Sequence, residues 1–428
     1  MAEIKPFRGW RYNPERVRLA DVVAPPYDVV TPEEQAFYLQ KSPYNVFHLE
    51  LGPRYATDHA RENQYTRAKK FWDTWRQEGV LIKENAPSLY LYRLRFFWKG
   101  QRLTRRGLIA LVRLEPWEKK IILPHEKTFD QVTADRLNLL RTTRAQFSQI
   151  FCLYHDPGLE TLNVLEETGE KLYQVEDREG FEHELLRITS PPAISQIENA
   201  LRENPLYIAD GHHRYTTALR FMKEMEERYG KTPPRCFHYM MMYLCPFEEP
   251  GLLVLPTHRL LQLPFKAEEL LARLSPFGEV AEIPAPETEN LDQMTKRLEP
   301  HEFLLLHENK VFRFTLKDPL RIRWQEEDPE IFKLPVALFT RVLEEALGIS
   351  EAALKKEGKA VYTPWANQIK EKARGPYFGF LLPPTPVLSL EAIARAGRVM
   401  PHKSTYFHPK ILTGMVFFEI LPDKGPPC

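Results

Sequence analysis

Apolar and polar residues recur with two different periods along the chain, and this pattern predicts a mixture of helices and strands. Stretches with apolar residues every three or four positions are expected to be helical, and they cover residues 58–77, 133–145, 194–202, 212–229, 267–274, 291–298, 332–347 and 393–398. Runs rich in β-branched and aromatic residues indicate strands, and they cover residues 89–98, 101–114, 149–154, 206–209, 236–245, 252–263, 303–306, 311–316, 376–382 and 414–421.

Local signals refine several of these elements. Thr31 before Pro32 is typical of a helix start, with the threonine as N-cap. Lys99-Gly100 separates two strand patterns and predicts a hairpin. The aromatic residues of the helix at 58–77 share one face, which we expect to be core; they are Tyr65, Phe71, Trp72 and Trp75.

The order of these elements predicts the fold class. Helices and strands mix without a sustained βαβ rhythm, which indicates a mixed α/β or α+β fold. A chain of 428 residues exceeds one ordinary core. We therefore expect an N-terminal mixed α/β domain (1–155), a central domain (156–264) and a C-terminal mixed α/β domain (265–428).

Composition narrows the class of partner. The chain has 59 Lys and Arg against 58 Asp and Glu, and this balance argues against nucleic acid. The sequence shows no apolar run of membrane-span length and no signal peptide, so no membrane partner is expected. Cys152, Cys236, Cys245 and Cys428 form no C-x-x-C pair, and the first three are expected to be core residues. These features predict a cytoplasmic protein; the oligomeric state stays open.

The most informative segment is LYIADGHHRYTTA (206–218), where an apolar strand pattern turns into a helix pattern. Gly211 permits a tight turn, and the amides at the start of the helix favour an anion. Arg214 offers a planar fork for phosphate. Asp210, His212 and His213 can exchange protons or orient a ligand.

A structural explanation of the same turn stays open, with Asp210 as a plain N-cap and the histidines at a polar boundary. A purely structural turn does not need two histidines and an arginine, so we predict a functional turn. Asp210, His212 and His213 are the catalytic candidates, and Gly211 and Arg214 are the phosphate-binding ones.

A second cluster, PHEKT (124–128), follows the apolar residues 121–123. Glu126 is a candidate general base and His125 a candidate ligand-binding residue. Arg136, on the helix that follows, is a further candidate for phosphate. The same residues could instead form a capped turn and solvated ion pairs.

Three further segments contain candidate binding residues. MPHKSTYF (400–407) carries Lys403, Ser404 and Thr405, which could bind phosphate or anchor the last strand; it lacks the glycines of a P-loop. Tyr27 and Asp28 lie in a rigid Pro-Pro bend and could stack on a base or cap a helix. Arg259 ends a strand, with a ligand or a structural role.

Five segments carry a resemblance to known families. APPYDV (24–29), LPHEKT (123–128), ADGHHRY (209–215), LPTHR (255–259) and MPHKSTYF (400–407) resemble the domain of unknown function 1015 family over nearly the whole chain. Residues 194–225 resemble the second conserved box of the ParB/sulfiredoxin superfamily, in particular the free-serine kinases. That resemblance implies a ParB/sulfiredoxin-like strand–turn–helix core embedded in a larger multi-layer protein.

The resemblance also implies phosphoryl transfer, since the DGHHR-like turn of those kinases lies at the phosphates. Their catalytic glutamate lies in a first box well before the turn, and Glu126 is a chemical rather than an aligned candidate for it. We expect a small-molecule phosphotransferase that uses a nucleotide or pyrophosphate, with Mg²⁺ carried by the nucleotide. Two alternatives stay open: a non-catalytic nucleotide-binding or regulatory protein, and a metal-dependent hydrolase using the histidines and Glu126. No residues are assigned to a metal, because no zinc motif is present.

Overall fold

The computed structural model describes residues 2–126, 128, 130–284, 288–426 and 428. They form two compact units. The first unit comprises Met1–Pro124, Thr128–Leu252 and Pro409–Cys428, and the second comprises His125–Lys127 and Leu253–His408. The prediction of three domains, with boundaries after residues 155 and 264, concerns independently folding regions and stays a prediction.

The described strands are, in chain order, β1 (Ile4–Lys5), β2 (Trp10–Tyr12), β3 (Leu81–Lys83), β4 (Leu89–Trp98), β5 (Gln101–Arg113), β6 (Ile122–Leu123), β7 (Ala145–Gln146), β8 (Ile150–Tyr154), β9 (Glu170–Glu176), β10 (Glu182–Ile188), β11 (Leu206–Asp210), β12 (Tyr239–Pro246), β13 (Leu253–Leu255), β14 (His258–Gln262), β15 (Gly278–Ile283), β16 (Glu302–His307), β17 (Lys310–Leu316), β18 (Ala360–Thr363), β19 (Tyr377–Leu381), β20 (Tyr406–His408) and β21 (Phe418–Glu419).

The described α-helices are α1 (Leu19–Val22), α2 (Pro32–Lys41), α3 (Phe47–Glu50), α4 (Gln64–Gln77), α5 (Asp130–Thr143), α6 (Glu160–Thr168), α7 (Pro191–Arg202), α8 (His212–Tyr229), α9 (Ala267–Leu274), α10 (Thr288–Lys296), α11 (Asp318–Glu327), α12 (Pro335–Leu347), α13 (Glu351–Lys356), α14 (Ala366–Lys372) and α15 (Val387–Arg395). None of these helices is long and apolar enough to cross a membrane.

The first unit is built on a mixed sheet. Among the described residues, nine strands join in the order β6-β11-β8-β12-β5-β4-β10-β9, with β1 on β5. The pairs β6–β11 and β8–β12 are parallel, and the other pairs are antiparallel. Because β6 and β11 are parallel neighbours, both end at the same edge of the sheet. The predicted mixed α/β fold class is confirmed.

The second unit contains its own antiparallel sheet, in the order β15-β17-β16-β19-β14-β18, and a separate pair, β13–β20. Apolar side chains from this sheet and from α14 form a buried cluster with Leu291. The strand predicted at 252–263 is divided into β13 and β14.

Several local predictions are confirmed. Thr31 caps α2 in a reciprocal capping box with Glu34. Lys99 and Gly100 both adopt positive φ between β4 and β5, as a tight hairpin turn requires. Trp72 and Trp75 are buried in the core. The helix predicted at 58–77 begins only at Gln64, because Asn63 accepts the first-turn amides and so acts as the N-cap.

One disulfide bond was not predicted from the sequence. Cys152 and Cys245 are buried free thiols, as expected. Cys236 is also buried as expected, but it forms a disulfide with Cys428, which the spacing of the cysteines did not suggest. The bonded residues are 192 positions apart, so short-range spacing could not reveal the pair. The disulfide also removes the cysteine argument for a cytoplasmic location, which stays a prediction.

Candidate functional site

The DGHHR segment connects β11 to α8 in the first unit, as the sequence predicts. Leu206–Ala209 are buried between neighbouring strands, and the register of β11 on β8 shifts between Ile208 and Asp210. Asp210 is the last residue of β11, and Gly211 is the N-cap of α8 with φ 100°. The structural alternative for Asp210, a plain N-cap, is therefore wrong.

Gly211 and Arg214 pack closely together. A Cβ atom on Gly211 would lie 3.0 Å from Nε and from an Nη atom of Arg214. Arg214 is 9% exposed and donates from Nη1 to the backbone oxygen of Gln149 at 2.7 Å. Burial opposes the positive charge, yet Asp210 and the other acidic groups nearby raise the pKa of Arg214. The guanidinium thus holds the turn from the interior, and its predicted contact with phosphate stays a prediction.

The carboxylate of Asp210 lies between two cations. Lys410 Nζ lies 2.9 Å from Oδ2, and Arg214 Nη2 lies 3.8 Å from Oδ1. Lys410 belongs to the first unit but lies 200 residues further along the chain. Sequence reasoning missed this lysine, and only its place three residues after the MPHKSTYF segment, beyond His408 and Pro409, could have drawn attention to it. His212 is buried and His213 is half-buried on the first turn of α8.

Arg136 lies in a separate charged cluster of the first unit. It donates to the backbone oxygen of Glu50 at 2.9 Å, and its guanidinium lies 4.4 Å from the ring centre of Tyr27. Burial opposes its charge, but Glu50, Tyr27 and Asp135 raise the pKa of Arg136. Tyr27 is half-buried and its pKa is raised by burial, whereas Asp28 is exposed. Their binding roles stay predictions.

Both candidate arginines of the first unit line one small cavity of about 50 Å³, and Tyr27, Asp28 and Glu50 also act electrostatically on Arg214. Its polar lining includes Arg136, Arg214, Glu50 and Ser148. Ser148 donates to Glu50 at 3.0 Å. The cavity has room for a few water molecules.

Two predicted segments meet within the second unit. The backbone oxygen of His125 accepts a hydrogen bond from the amide of Met400 at 2.7 Å, and His125 is fully buried. This places His125-Glu126 beside the start of MPHKSTYF. Lys127 of the PHEKT motif lies outside the described residues.

The MPHKSTYF loop is held by a buried arginine. Arg259 is 1% exposed, pairs with Glu351 at 3.2 Å and donates to the backbone oxygens of His402 and Lys403. The Ser404 hydroxyl donates to Pro401 at 2.6 Å. Arg259 and Ser404 therefore support the loop, and their predicted contacts with a ligand stay predictions.

Lys403 and Thr405 remain the half-buried polar candidates of this loop. Lys403 adopts φ 54°. Next to it, Lys355 Nζ lies 2.5 Å from His402 Nε2. Burial, together with the charge of Lys403, lowers the pKa of Lys355. Lys355 and His402 were not among the residues expected from the sequence.

The candidates thus divide by unit. Asp210, Gly211, His212, His213 and Arg214 form one turn in the first unit, which also contains the cluster of Tyr27, Asp28 and Arg136. The second unit contains His125, Glu126, Arg259, Lys403, Ser404 and Thr405. Among the described residues, no group of three or more His, Cys, Asp and Glu side chains is arranged to hold a metal, so the hydrolase alternative gains no support.

Comparisons with known proteins give a family and distant structural likenesses. The model of the family described as "Protein of unknown function (DUF1015)" matches residues 4–342. A mutant free serine kinase in complex with ADP is 11% identical, with TM-score 0.38, over 74% of this chain and 92% of that chain. SbnI with a C-terminal truncation, from Staphylococcus aureus, is 12% identical, with TM-score 0.36, over 71% and 85%. No curated protein matches the chain.

Proposed function

The chain belongs to the DUF1015 family, whose description assigns no function, and we propose from its own residues that it transfers a phosphoryl group to the hydroxyl of a small molecule. The observation that carries the proposal is the turn from β11 to α8. It combines a left-handed glycine, a helix start and acid–base side chains in five consecutive residues. These are the components that phosphoryl transfer requires.

The proposed step has a simple balance. The substrate oxygen forms a bond to phosphorus, the bond from phosphorus to the donor oxygen breaks, and the hydroxyl proton passes to a protein base. His213 is the best candidate for that base on the turn, because it is half-buried whereas His212 is buried. Glu126, which belongs to the second unit, stays a candidate from the sequence alone.

Asp210 takes a different part in this proposal. Its two oxygens already face Lys410 and Arg214, so it orients cations rather than accepting the proton. A Mg²⁺ ion bound directly to Asp210 would lie against the Lys410 ammonium, and the carboxylate does not fit that role. Mg²⁺ carried on the nucleotide phosphates stays a prediction, and no step is assigned to it.

The test is product formation. The purified protein is incubated with serine and other small alcohols, with ATP, ADP or pyrophosphate as donor, and phosphorylated products are detected by ³¹P NMR. We expect turnover with at least one pair and a loss of about 100-fold or more in H213N. The control H59N alters an exposed histidine of the first unit and keeps the wild-type rate. Absence of product with every donor contradicts the proposal.

One observation favours the non-catalytic alternative. Arg214 and Asp210 are engaged with each other and with the interior, as in a turn built only to bind. A nucleotide-binding module would gain thermal stability from nucleotide, while D210N and H213N would leave each of its measured functions intact. The same variants therefore separate the two functions.

A further inference from the structure

We propose that Lys410, in the C-terminal segment Pro409–Cys428, is the residue whose charge binds phosphate at the DGHHR turn. This inference rests on the proposed function, since it concerns the same site. The inference assigns phosphate binding to Lys410 instead of Arg214 of the motif. Lys410 lies outside residues 4–342, which the family model matches.

Arg214 is poorly placed to bind a ligand. Its guanidinium packs on Gly211 and donates inward to the backbone of Gln149. To turn its fork towards a phosphate outside the turn, the side chain would have to leave that carbonyl, and a buried acceptor without a partner is unfavourable. Arg214 therefore fixes the shape of the turn.

Lys410 lies on the side of Asp210 that Arg214 does not occupy. Its ammonium lies 2.9 Å from Oδ2 of Asp210, whereas Arg214 faces Oδ1. Asp210 immediately precedes the N-cap of α8, so the ammonium lies near the first turn of the helix. That end of a helix disfavours a cation and favours an anion, so the helix end and the ammonium would both attract a phosphate that binds there.

The backbone around Lys410 is firmly held. Arg105 donates to the oxygen of Pro409 at 2.6 Å, and the amide of Leu412 donates to the Tyr92 hydroxyl at 2.9 Å. Gln149 supports both cations, because its backbone oxygen accepts from Arg214 and its side chain donates to the oxygen of Leu412 at 3.3 Å. Lys410 is thus positioned before any ligand arrives.

The chemistry selects a compact anion. A lysine ammonium is a compact point charge, and a phosphate oxygen that reaches it forms a charged hydrogen bond without needing a planar fork. The ligand class is therefore a terminal phosphate group, as in a nucleoside diphosphate or triphosphate or in pyrophosphate. A planar carboxylate would gain less, because it is matched best by an arginine fork.

The experiment is calorimetric titration with pyrophosphate and with ADP. We expect K410M to weaken binding by about 10- to 100-fold, the value of one charged hydrogen bond, and K410R to retain part of the affinity. The control K70M removes a charge from an exposed lysine of α4 and should bind as the wild type does. Urea unfolding checks that each variant is folded.

A second pair of variants separates direct binding from action through Asp210. D210N/K410M is compared with D210N, so that no unpaired carboxylate repels the ligand. A weaker affinity in the double variant supports direct binding by Lys410, and equal affinities overturn it. If K410M binds pyrophosphate and ADP as tightly as the wild type does, the assignment of Lys410 is also overturned. The proposed function stands in that case.

The remaining outcomes distinguish this inference from the proposed function. Binding that depends on Lys410 without any turnover supports the lysine and contradicts the phosphotransferase. If the wild type binds neither pyrophosphate nor ADP, both are overturned.

Discussion

Arg214 in the first unit and Arg259 in the second are both buried arginines that donate to backbone oxygens. They differ in how deeply they are buried and in how close their carboxylate partners lie. Arg259 is 1% exposed, and its charge is matched by Glu351 at 3.2 Å. Arg214 is 9% exposed, and its carboxylate partner, Asp210, lies 3.8 Å away and is shared with Lys410. Arg259 donates to two backbone oxygens of the loop it supports, whereas Arg214 donates to the backbone oxygen of Gln149, outside its own turn.

The difference teaches how a polar motif is divided between support and binding. In each unit the arginine is buried and holds backbone, whereas the nearby lysine, Lys410 in one unit and Lys403 in the other, is half-buried. In the proposal above, Lys410 carries the charge that binds the ligand. A long lysine side chain keeps its charged end near solvent at lower cost than a buried guanidinium does.

The largest expected effect is the loss of stability when Arg259, the more closely paired arginine, is replaced. R259M leaves Glu351 buried without its cation, and we expect the free energy of unfolding to fall by about 3–5 kcal/mol. Urea unfolding measures this. The control R273M breaks an exposed pair with Glu269 and should cost about 0.5 kcal/mol or less. Equal effects of the two variants would contradict the assignment of Arg259 as the support of its loop.

The disulfide between Cys236 and Cys428 holds the end of the segment Pro409–Cys428, which contains Lys410. C236S opens a loop of 192 residues, and we expect a loss of about 2–5 kcal/mol in the free energy of unfolding. C428S should have the same effect, and reductant should bring the wild type to the same stability. If reductant leaves the wild type unchanged, the bond does not form in the protein.

Glycine substitutions test the packing beneath the DGHHR turn. G211A places a methyl group against the pinned Arg214, whereas G348A meets open space at another left-handed position. Left-handed strain costs about 1–2 kcal/mol in each, and overpacking adds about 1–3 kcal/mol only in G211A. Thermal and urea unfolding compare them. A penalty no larger in G211A would show that Arg214 moves freely.

The smallest expected effect depends on pH and lies beside Arg259. His258 is fully buried, and burial together with the adjacent Arg259 lowers its pKa to about 3. Below about pH 6.5 the unfolded chain takes up a proton that the folded chain excludes, so stability falls by at most about 1.4 kcal/mol per pH unit, or about 2 kcal/mol between pH 6.5 and 5. H258N should remove this dependence between pH 6.5 and 5, while H59N keeps it. An unchanged slope in H258N would contradict the assignment.

The strongest sequence predictions were those with local causes. Helix α8 has the predicted bounds, and the hairpin of β4 and β5 has the predicted turn, because periodicity and turn residues act over a few positions. The strand predicted at 414–421 is reduced to Phe418–Glu419. Strands β9 and β10 were missed, since charged residues interrupt their apolar pattern.

The candidate site was harder to predict, because its important contacts are distant in the sequence. The turn itself was identified from consecutive residues. The lysine that pairs with Asp210 and the cysteine that pairs with Cys236 are 200 and 192 residues away. A motif also does not show which way a side chain points, and the fold directs Arg214 and Arg259 to backbone oxygens that no motif predicted.

The central claim is that phosphate binds at the turn from β11 to α8 and contacts Lys410. A crystal structure of the full chain with ADP or pyrophosphate tests it most directly. The account predicts a phosphate oxygen within about 3 Å of Lys410 Nζ, beside the first turn of α8, with Arg214 still bonded to Gln149. A phosphate bound elsewhere, or one held by Arg214 with Lys410 turned away, would contradict it.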